Sequence, residues 1–328
     1  NAKFELGWLL RTGLDLRSVV VYDTMLGEWV LLGNLSHGLQ DLSLQRACER
    51  RGVGAKEDTV AGLIELGVNP ENIPTDWLED YCHQDVAITE ELFLVQRQLL
   101  QDRGLLHIQY SRCLLTPVLT DMEFSGVTLD KERVMEEYDK VLAEYKSVVK
   151  QLNVMAKDNG FEGINWRSPK QKAEYLYDIL KFEELKDRRG EPLRTDKGAR
   201  SVDSATIYGL KATNSKQRKF LAVMERLSGL DAKLTKSLNF FKAVCEEHDC
   251  TFFGELRQGT TKTHRLSSTG KPITLKGTKK TLSAQLQNLA REYKRLFKAK
   301  KEGWQILEID SAQLEFRAAA ILTKDPVA

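Results

Sequence analysis

Hydrophobic and polar positions in the first hundred residues recur mainly with the period of an α-helix. Helical spacing is present over residues 4–10, 43–51, 58–66 and 76–102, and Gly104 is expected to end the last helix. Residues 19–22, Val-Val-Val-Tyr, predict a buried strand, and Asp23 with Thr24 can cap the helix that follows. The pattern therefore predicts short mixed α/β elements in this part of the chain.

The middle of the chain, residues 105–250, has the pattern of long amphipathic helices. From Val134 to Leu152 the apolar residues step by three and four along one face, with Asp130 at the N-cap position. A second helix begins at Ser168, and a third amphipathic pattern covers residues 215–246. The charged stretch 186–201 contains two glycines and predicts a loop.

From residue 251 onward the pattern changes to short strands. Residues 252–257 predict a strand, and residues 262–268 are expected to pair with it. Residues 304–310 predict another strand, which ends in the carboxylate of Asp310, and a helix is expected over 313–322. Asp310 is therefore expected at the junction of the last predicted strand and the last predicted helix.

Composition limits the class of protein. The chain has 328 residues, 41% hydrophobic and 29% charged, which is enough to form two or three domains with apolar cores. No apolar run approaches the roughly 18 residues of a membrane span, and Glu5 and Arg11 interrupt any signal-peptide region. Five cysteines form no even disulfide framework. We therefore expect a soluble protein of a reducing compartment, the cytoplasm.

Charge is distributed unevenly along the chain. The formal net charge is only +2, but residues 257–301 contain 13 Lys or Arg and a single acid, Glu292. This segment carries +12, so the other 283 residues carry −10. Because it lacks the interleaved acids of an ordinary solvated face, it predicts a surface that binds a polyanion.

Two groups of residues have the chemistry of phosphodiester sites. Tyr81 and Asp85 are four residues apart, so on a helix they share one face, where a carboxylate can hold a metal ion and a phenol can orient water. The spacing alone is also common in structural helices. The second group combines residues 263–268, Thr-His-Arg-Leu-Ser-Ser, with Gln287, Asn288 and residues 310–317. Its cation, hydroxyls and acids could bind a primer backbone and a triphosphate, although Asp310 could equally be a helix N-cap.

In order and spacing, these segments resemble family A DNA polymerases, the group of bacterial polymerase I and phage polymerases. Residues 1–5, Asn-Ala-Lys-Phe-Glu, resemble the second 3′–5′ exonuclease motif, and residues 81–85 resemble the third. Residues 23–26 are similar to the exonuclease domain, and residues 126–130 are similar to the start of the thumb. Residues 263–268 with 287–288 resemble the primer-contacting motif, and residues 310–317 resemble motif A.

The resemblance implies a role for each matching residue. For the exonuclease it implies metal ligation by Asp85 and Glu5 and a water-orienting phenol at Tyr81. For the polymerase it implies that Asp310 holds both catalytic Mg²⁺ ions and that Glu315 excludes a 2′-hydroxyl. The resemblance also implies that Ser311 and Gln313, together with Asp310 and Glu315, bind the incoming nucleotide. The implied DNA contacts are Lys262, Arg265, Ser267, Ser268, Lys279, Lys280, Gln287 and Asn288.

This sequence departs from the family pattern at three of these positions. Glu5 stands where the family usually has Asp, Ser311 replaces the usual Tyr after the motif A acid, and His264 replaces the usual Gly before Arg265. The first exonuclease motif, the finger helix and the motif C carboxylate have no counterpart in the sequence. We therefore expect a fragment of a longer protein, inactive by itself, that begins at the second exonuclease motif and ends at motif A.

The implied fold is α/β plus α. Residues 1–102 would form a partial ribonuclease-H-like exonuclease domain, residues 103–250 a helical thumb, and residues 251–328 the start of the palm. The implied function is template-directed DNA polymerisation with 3′–5′ proofreading, acting on primer-template DNA and deoxynucleoside triphosphates in a bacterial or phage-infected cell. A 3′–5′ exonuclease only and a non-catalytic DNA-binding protein remain as alternatives.

One further pattern lies outside this scheme. Cys245, His248 and Cys250 have the spacing of half a zinc site, but no second half lies nearby in the sequence. A structural role for these three residues is therefore favoured.

Overall fold

The computed structural model describes residues 1–16, 19–33, 39–54, 59–277, 279 and 281–324. Its helices are α1 (Ala2–Arg11), α2 (Thr24–Leu32), α3 (Leu44–Arg51), α4 (Thr59–Glu65), α5 (Thr75–Asp102), α6 (Leu106–Ser125), α7 (Lys131–Lys157), α8 (Pro169–Ala173), α9 (Ser204–Gly209), α10 (Ser215–Lys233), α11 (Asn239–Glu247) and α12 (Leu314–Thr323). Two π-helical turns, Glu174–Ile179 and Leu234–Leu238, extend α8 and join α10 to α11. Short 3₁₀ helices are formed by Leu39–Leu42, Pro70–Asn72, Leu286–Asn288 and Arg291–Leu296.

The strands are short and antiparallel. They are β1 (Val127–Leu129), β2 (Thr251–Phe252), β3 (Gly254–Arg257), β4 (Ser267–Gly270), β5 (Ile273–Thr274), β6 (Thr281–Leu282) and β7 (Phe297–Lys298). β1 is the central strand of a three-stranded sheet with β2 and β7, while β3 pairs with β4 and β5 pairs with β6. The sheet therefore joins the segment before α7 to two segments that follow α11.

Several predicted helix boundaries are confirmed by hydrogen bonds. The carboxylate of Asp23 accepts the backbone N–H of Met25 at 2.9 Å, and that of Asp130 accepts Arg133 N–H at 3.2 Å. The hydroxyl of Ser168 caps α8 in the same way. Gly104, with φ +66°, directly follows α5 and its C-cap. Capping residues thus mark these boundaries in the sequence, because each satisfies backbone groups that a helix end leaves unpaired.

Helices α7, α10 and α11 build the largest core. Their apolar faces pack together with the π-helical turns, β2 and the 3₁₀ helix at 291–296 around fully buried aromatic rings. Among these rings, Phe240, Phe241 and Phe252 contact one another at centroid separations of 5.0–6.3 Å. The heptad-like apolar spacing in α7 is what allows one long helix to line this core.

Two smaller cores hold the N-terminal helices together. One contains Trp29, Leu42 and Leu100 and joins α2 to α5. The other contains Cys48 and Leu92 and joins α3 to α5. Helix α6 packs against both α1 and α2, and it also contacts β3. The hairpin of β3 and β4 is therefore anchored on α6, which in turn packs on α1 and α2.

Residues 19–22 were predicted as a strand, and that prediction is wrong. The segment is extended, but it pairs with no strand among the described residues, and Val20 is 88% exposed. Tyr22 instead packs its ring against Phe93 and Tyr110, at 4.7 and 6.0 Å. A β-branched run needs a neighbouring strand to form a ladder, and the described part of residues 1–102 contains helices without strands.

Two C-terminal predictions also change. Residues 304–310 form no strand and are exposed throughout, so their apolar residues find no sheet or helix to pack against. The predicted partner of β3 lies later than expected, because Arg257 pairs with Ser267 and Gly254 with Gly270. Residues 258–266 form the connecting loop, which we call the hairpin loop. The helix predicted at 313–322 is confirmed as α12.

The charged stretch predicted as a loop has little regular structure. Residues 186–201 contain two isolated bridges and no helix or strand, as expected for a loop. No helix in the described part of the chain is long and apolar enough to cross a membrane.

Candidate nucleic-acid interface

The β3–β4 hairpin positions three of the predicted DNA contacts, Arg265, Ser267 and Ser268. The hydroxyl of Ser267 hydrogen-bonds that of Thr260 across the loop. The Thr261 hydroxyl donates to the carbonyl of Arg265 at 2.5 Å. These bonds fix the backbone of Arg265, while its side chain stays exposed.

Gln287 is brought to the same place by hydrogen bonds to β4. The buried hydroxyl of Ser268 accepts the backbone N–H of Gln287 at 3.2 Å, and the Gln287 side chain donates to the Leu266 carbonyl at 3.0 Å. Asn288 follows in the same 3₁₀ turn and donates to the Gln285 side chain. Hydrogen bonds therefore join the hairpin to Gln287 across about twenty positions of sequence, and the buried Ser268 hydroxyl has a structural role in this contact.

Gly270 allows this close approach. A Cβ placed on Gly270 would lie 1.9 Å from the carbonyl oxygen of Ala284 and 2.7 Å from its backbone nitrogen. Backbone atoms cannot rotate away as a side chain can, so only glycine fits here without moving the segment that carries Gln287.

We expect Gly270→Ala to lower the free energy of unfolding by about 1–3 kcal/mol, the usual cost of overpacking. Urea unfolding followed by circular dichroism measures this change. Gly229→Ala is the matched control, because Gly229 lies inside α10 with open space around it and alanine is the better helix former by about 0.5–1 kcal/mol. A Gly270→Ala variant as stable as the unmodified chain would contradict the close packing.

Arg265 and Glu315 form an ion pair across 50 positions of sequence. Their side chains are 71% and 76% exposed. An ion pair this exposed is worth at most about 1 kcal/mol, so an incoming charged ligand can separate it at little cost. The contact brings the predicted primer-contacting motif and the predicted motif A together in space.

The other predicted nucleotide-site residues lie just before α12. Asp310, Ser311 and Gln313 are all exposed, and Gln313 has φ +51°. In the part of the chain that the structure describes, no group of three or more His, Cys, Asp or Glu side chains could hold a metal ion. Asp310 lies five residues before Glu315 and belongs to no such group of side chains.

The basic segment 257–301 supplies exposed cations around the hairpin. Lys262, Lys271 and Lys279 are exposed, whereas Arg295 pairs with Glu137 of α7 at 2.6 Å. Lys280 lies outside the described residues. Part of the +12 charge is therefore neutralised by ion pairs, and these exposed lysines stay available to phosphates.

The hairpin loop also docks on α2 and α6, a contact that the sequence analysis did not predict. The His264 ring lies 4.1 Å from the Trp29 ring, and the Arg112 guanidinium lies 4.4 Å from the Trp29 ring. His264 is exposed, and partial desolvation of its ring, followed by the charge of Arg112, lowers its pKa below the ordinary value. The only sequence signal for this contact was a histidine at position 264, where the family usually has glycine.

The predicted exonuclease residues are distributed over different helices. Glu5 is exposed on α1, which packs on α6, whereas Tyr81 and Asp85 are half-buried on α5. Asp85 lies close enough to Cys48 of α3 for its charge to help raise the pKa of that thiol, after burial and the charges of Glu91 and Glu28. Helix α1 packs mainly on α6, and helix α5 packs mainly on α2 and α3.

Lys3, the basic residue of the predicted second exonuclease motif, has a structural role. Its ammonium group contacts the Glu123 carboxylate at 2.6 Å and the carbonyl of Leu256 in β3 at 2.5 Å. Both partners are protein groups, so Lys3 ties α1 to α6 and to the hairpin.

The cysteines at 245 and 250 are also structural. The Cys245 thiol is buried and hydrogen-bonds the thiol of Cys250, and burial is the largest cause that raises its pKa to about 12. Neither thiol belongs to a group of three or more His, Cys, Asp or Glu side chains that could hold a metal ion among the described residues.

The chain is similar to known proteins in both sequence and fold. The model of DNA polymerase family A matches residues 132–327. The chain is 26% identical over 339 residues to DNA polymerase I of Synechocystis sp., an alignment that covers all of this chain and 31% of that protein. It therefore spans about a third of the length of this curated relative.

A solved structure has a similar fold. The POL domain of Pol1 from M. smegmatis, in complex with DNA primer-template and dNTP, matches 99% of this chain with a TM-score of 0.62 and 20% sequence identity. The chain covers 49% of that structure. Since the family match alone includes more than half of the residues, the chain belongs to DNA polymerase family A.

Proposed function

We propose that this chain is part of a template-directed DNA polymerase and that its β3–β4 hairpin, Gln287–Asn288 and the start of α12 receive the primer terminus. The observation that supports this most directly is the ion pair between Arg265 and Glu315. It joins a primer-contact candidate to a nucleotide-site candidate, as a site for both substrates requires.

The chemistry of these side chains suits such a site. Arg265 carries five N–H donors, which can bind acceptors at the edges of bases or on phosphates. Ser267 and Gln287 add neutral donors beside it, and these position a backbone without adding charge. When DNA takes Arg265, Glu315 is released and becomes free to stand beside the sugar of the incoming nucleotide, where we propose that it excludes a 2′-hydroxyl.

We propose Asp310 as one ligand of the catalytic magnesium ions. Its exposed carboxylate fits the preference of Mg²⁺ for oxygen ligands and retained waters. Bound Mg²⁺ would neutralise charge on the triphosphate and activate the primer 3′-oxygen. Because we assign Glu315 to the sugar of the nucleotide, Asp310 is the carboxylate of this surface that we propose as a metal ligand.

Binding of primer-template DNA is expected to depend steeply on salt. If the exposed cations neutralise about five phosphates, the logarithm of the association constant falls against the logarithm of salt concentration with a slope of about −4 to −5. Fluorescence anisotropy with a labelled primer-template, titrated at several salt concentrations, measures this slope. A slope near zero would mean that the basic segment is only solvated.

Charge variants test whether lysines of the basic segment 257–301 make the phosphate contacts. In the double variant Lys262→Gln and Lys279→Gln, the slope should become about 2 less negative, since each phosphate contact contributes about 0.9. Lys157→Gln is the matched control, because Lys157 is exposed at the end of α7 and pairs with Glu162 outside the basic segment. An equal effect of both changes would indicate non-specific attraction.

We also propose a 3′–5′ exonuclease activity that uses Tyr81, Asp85 and Glu5. The resemblance of residues 1–5 and 81–85 to the exonuclease motifs supports it. Catalysis would require α1 and α5 to bring Glu5 and Asp85 to one metal site, because hydrolysis through two ions needs several carboxylates together. The measurement is release of nucleotides from a labelled 3′ end, with Asp85→Ala as the inactive variant.

A further inference from the structure

A stack of three side chains connects the hairpin loop to the N-terminal helices. His264 lies with its ring centroid 4.1 Å from that of Trp29 in α2. Arg112 of α6 places its guanidinium over the same indole at 4.4 Å and contacts Nδ1 of His264 at 2.7 Å. Because arginine can only donate, Nδ1 of His264 accepts this hydrogen bond and the imidazole is neutral.

Residues at the start of the loop are held at the same place. The side chain of Gln258 donates to the carbonyl of Arg112 at 3.0 Å and accepts from the hydroxyl of Thr116 at 3.2 Å. Gly259 lies against the side chains of Leu42 and Trp29. The loop is therefore anchored at both ends, by Gln258 near its start and by His264 next to Arg265.

The backbone at His264 indicates that its side chain is needed. His264 has φ +61°, in the left-handed region that favours glycine. A residue with a Cβ is strained there by about 1 kcal/mol or more unless side-chain contacts compensate. The ring contact with Trp29 and the hydrogen bond from Arg112 are contacts of that kind.

We propose that Trp29, Arg112 and His264 form a clamp through which the N-terminal helices position Arg265 for the primer terminus. The proposal rests on the proposed function for its DNA contact. His264 is a positioning residue: it fixes the backbone next to Arg265, whose carbonyl is held by Thr261 from within the same loop. The clamp thus leaves the Arg265 side chain exposed while limiting where it can reach.

Protonation of His264 would open the clamp. The groups that face its ring are the indole of Trp29 from α2, which does not titrate, and the cation of Arg112 from α6. A protonated imidazole loses its acceptor and repels Arg112. Partial desolvation of the ring and the charge of Arg112 keep the pKa of His264 low, so the clamp is closed at neutral pH and opens as the pH falls below about 6.5 and through the lowered value.

The first experiment needs no DNA. Hydrogen–deuterium exchange of the chain, read at residues 259–266, should become about tenfold faster in His264→Ala than in the unmodified protein. His264→Asn should retain slow exchange, because asparagine tolerates φ > 0 and its carbonyl oxygen replaces Nδ1 as the acceptor. Equal exchange in all three proteins would overturn the clamp.

The second experiment tests positioning. Anisotropy with a labelled primer-template should show about fivefold weaker binding for His264→Ala at pH 7.5, the factor for roughly 1 kcal/mol from the lost ring contact and hydrogen bond. Between pH 7.5 and 5.5 the unmodified chain should lose affinity relative to His264→Asn, which has no group to titrate at this position. If exchange changes but neither affinity nor its pH profile does, the clamp does not act on Arg265. Failure of the unmodified chain to bind primer-template would instead contradict the proposed function, and the exchange result would still decide the clamp.

Discussion

Replacing Glu28 by alanine is expected to lower the free energy of unfolding by about 3–5 kcal/mol, the cost of breaking a buried ion pair. The Glu28 side chain is 0% exposed within α2. Its carboxylate accepts from Arg50 at 2.6 Å, from Arg51 at 2.9 Å and from the buried Gln96 amide at 3.1 Å. Alanine would leave these donors without their acceptor in the interior between α2, α3 and α5.

The pH dependence of stability provides a second test of the same cluster. Burial alone would raise the pKa of Glu28, but hydrogen bonds from Arg51 and Arg50 outweigh it, and the net pKa lies below the ordinary value. A lowered pKa means that the stabilisation is present above the unfolded value of about 4.3 and is lost as the pH falls through the folded one. Glu28→Gln should lose this component of the pH dependence.

Urea unfolding at pH 7 and at pH 4 measures both effects. Glu49→Ala is the matched control, because Glu49 lies on α3 and pairs with Arg46 at the surface at 3.8 Å, a contact worth at most about 1 kcal/mol. A loss of less than 1 kcal/mol in Glu28→Ala would show that water replaces the carboxylate and that the cluster is not a buried ion pair.

Local signals explain which elements could be predicted from the sequence. Asp130 and Ser168 mark helix starts because a side-chain oxygen satisfies backbone donors a few residues away. The apolar spacing from Val134 to Leu152 gave the buried face of α7 correctly. In each case the interaction that decides the structure lies within one or two turns of the residue.

Predictions failed where the deciding partner is distant or missing. The Val-Val-Val-Tyr run at 19–22 has strand propensity, but no strand lies beside it in the described chain. The apolar side chains within residues 304–310 are exposed for the same reason. Propensity describes how a residue fits a sheet that already exists, so it cannot supply the neighbouring strand.

The candidate site shows the same division. Residue type and spacing suggested Arg265, Gln287 and Glu315, but the ion pair and the hydrogen bonds that join them span 19 to 50 positions. The contact of His264 with Trp29 crosses 235 positions, and periodicity carries no information at that distance. The local sign of this contact was a histidine where the family usually has glycine, at a position whose φ is positive.

In the polymerase that we propose to contain this chain, Asp310→Ala is expected to slow nucleotide addition by roughly a thousandfold. This corresponds to about 4 kcal/mol of lost charge stabilisation at the triphosphate. Asp310 is exposed and makes little contribution to folding, so the variant should keep both its stability and its affinity for primer-template DNA. A large effect on rate with little effect on binding is the signature of an interaction made mainly in the transition state.

Variants of two other acidic residues are controls that distinguish the catalytic role of Asp310 from a general effect of lost charge. Glu308→Ala removes a carboxylate two residues away, which pairs with Lys294, and should leave the rate of addition within about twofold. Asp85 lies on α5. Asp85→Ala should remove nucleotide release from the 3′ end without changing the rate of nucleotide addition, because distant sites act independently.

Single-turnover extension of a labelled primer by one nucleotide, with Mg²⁺ and saturating deoxynucleoside triphosphate, therefore tests the central claim most directly. The structure and the family relationship predict normal rates for the unmodified protein and Glu308→Ala and a roughly thousandfold lower rate for Asp310→Ala. Extension by Asp310→Ala at the rate of the unmodified protein, with equal DNA affinity, would contradict the placement of the polymerase site at the start of α12.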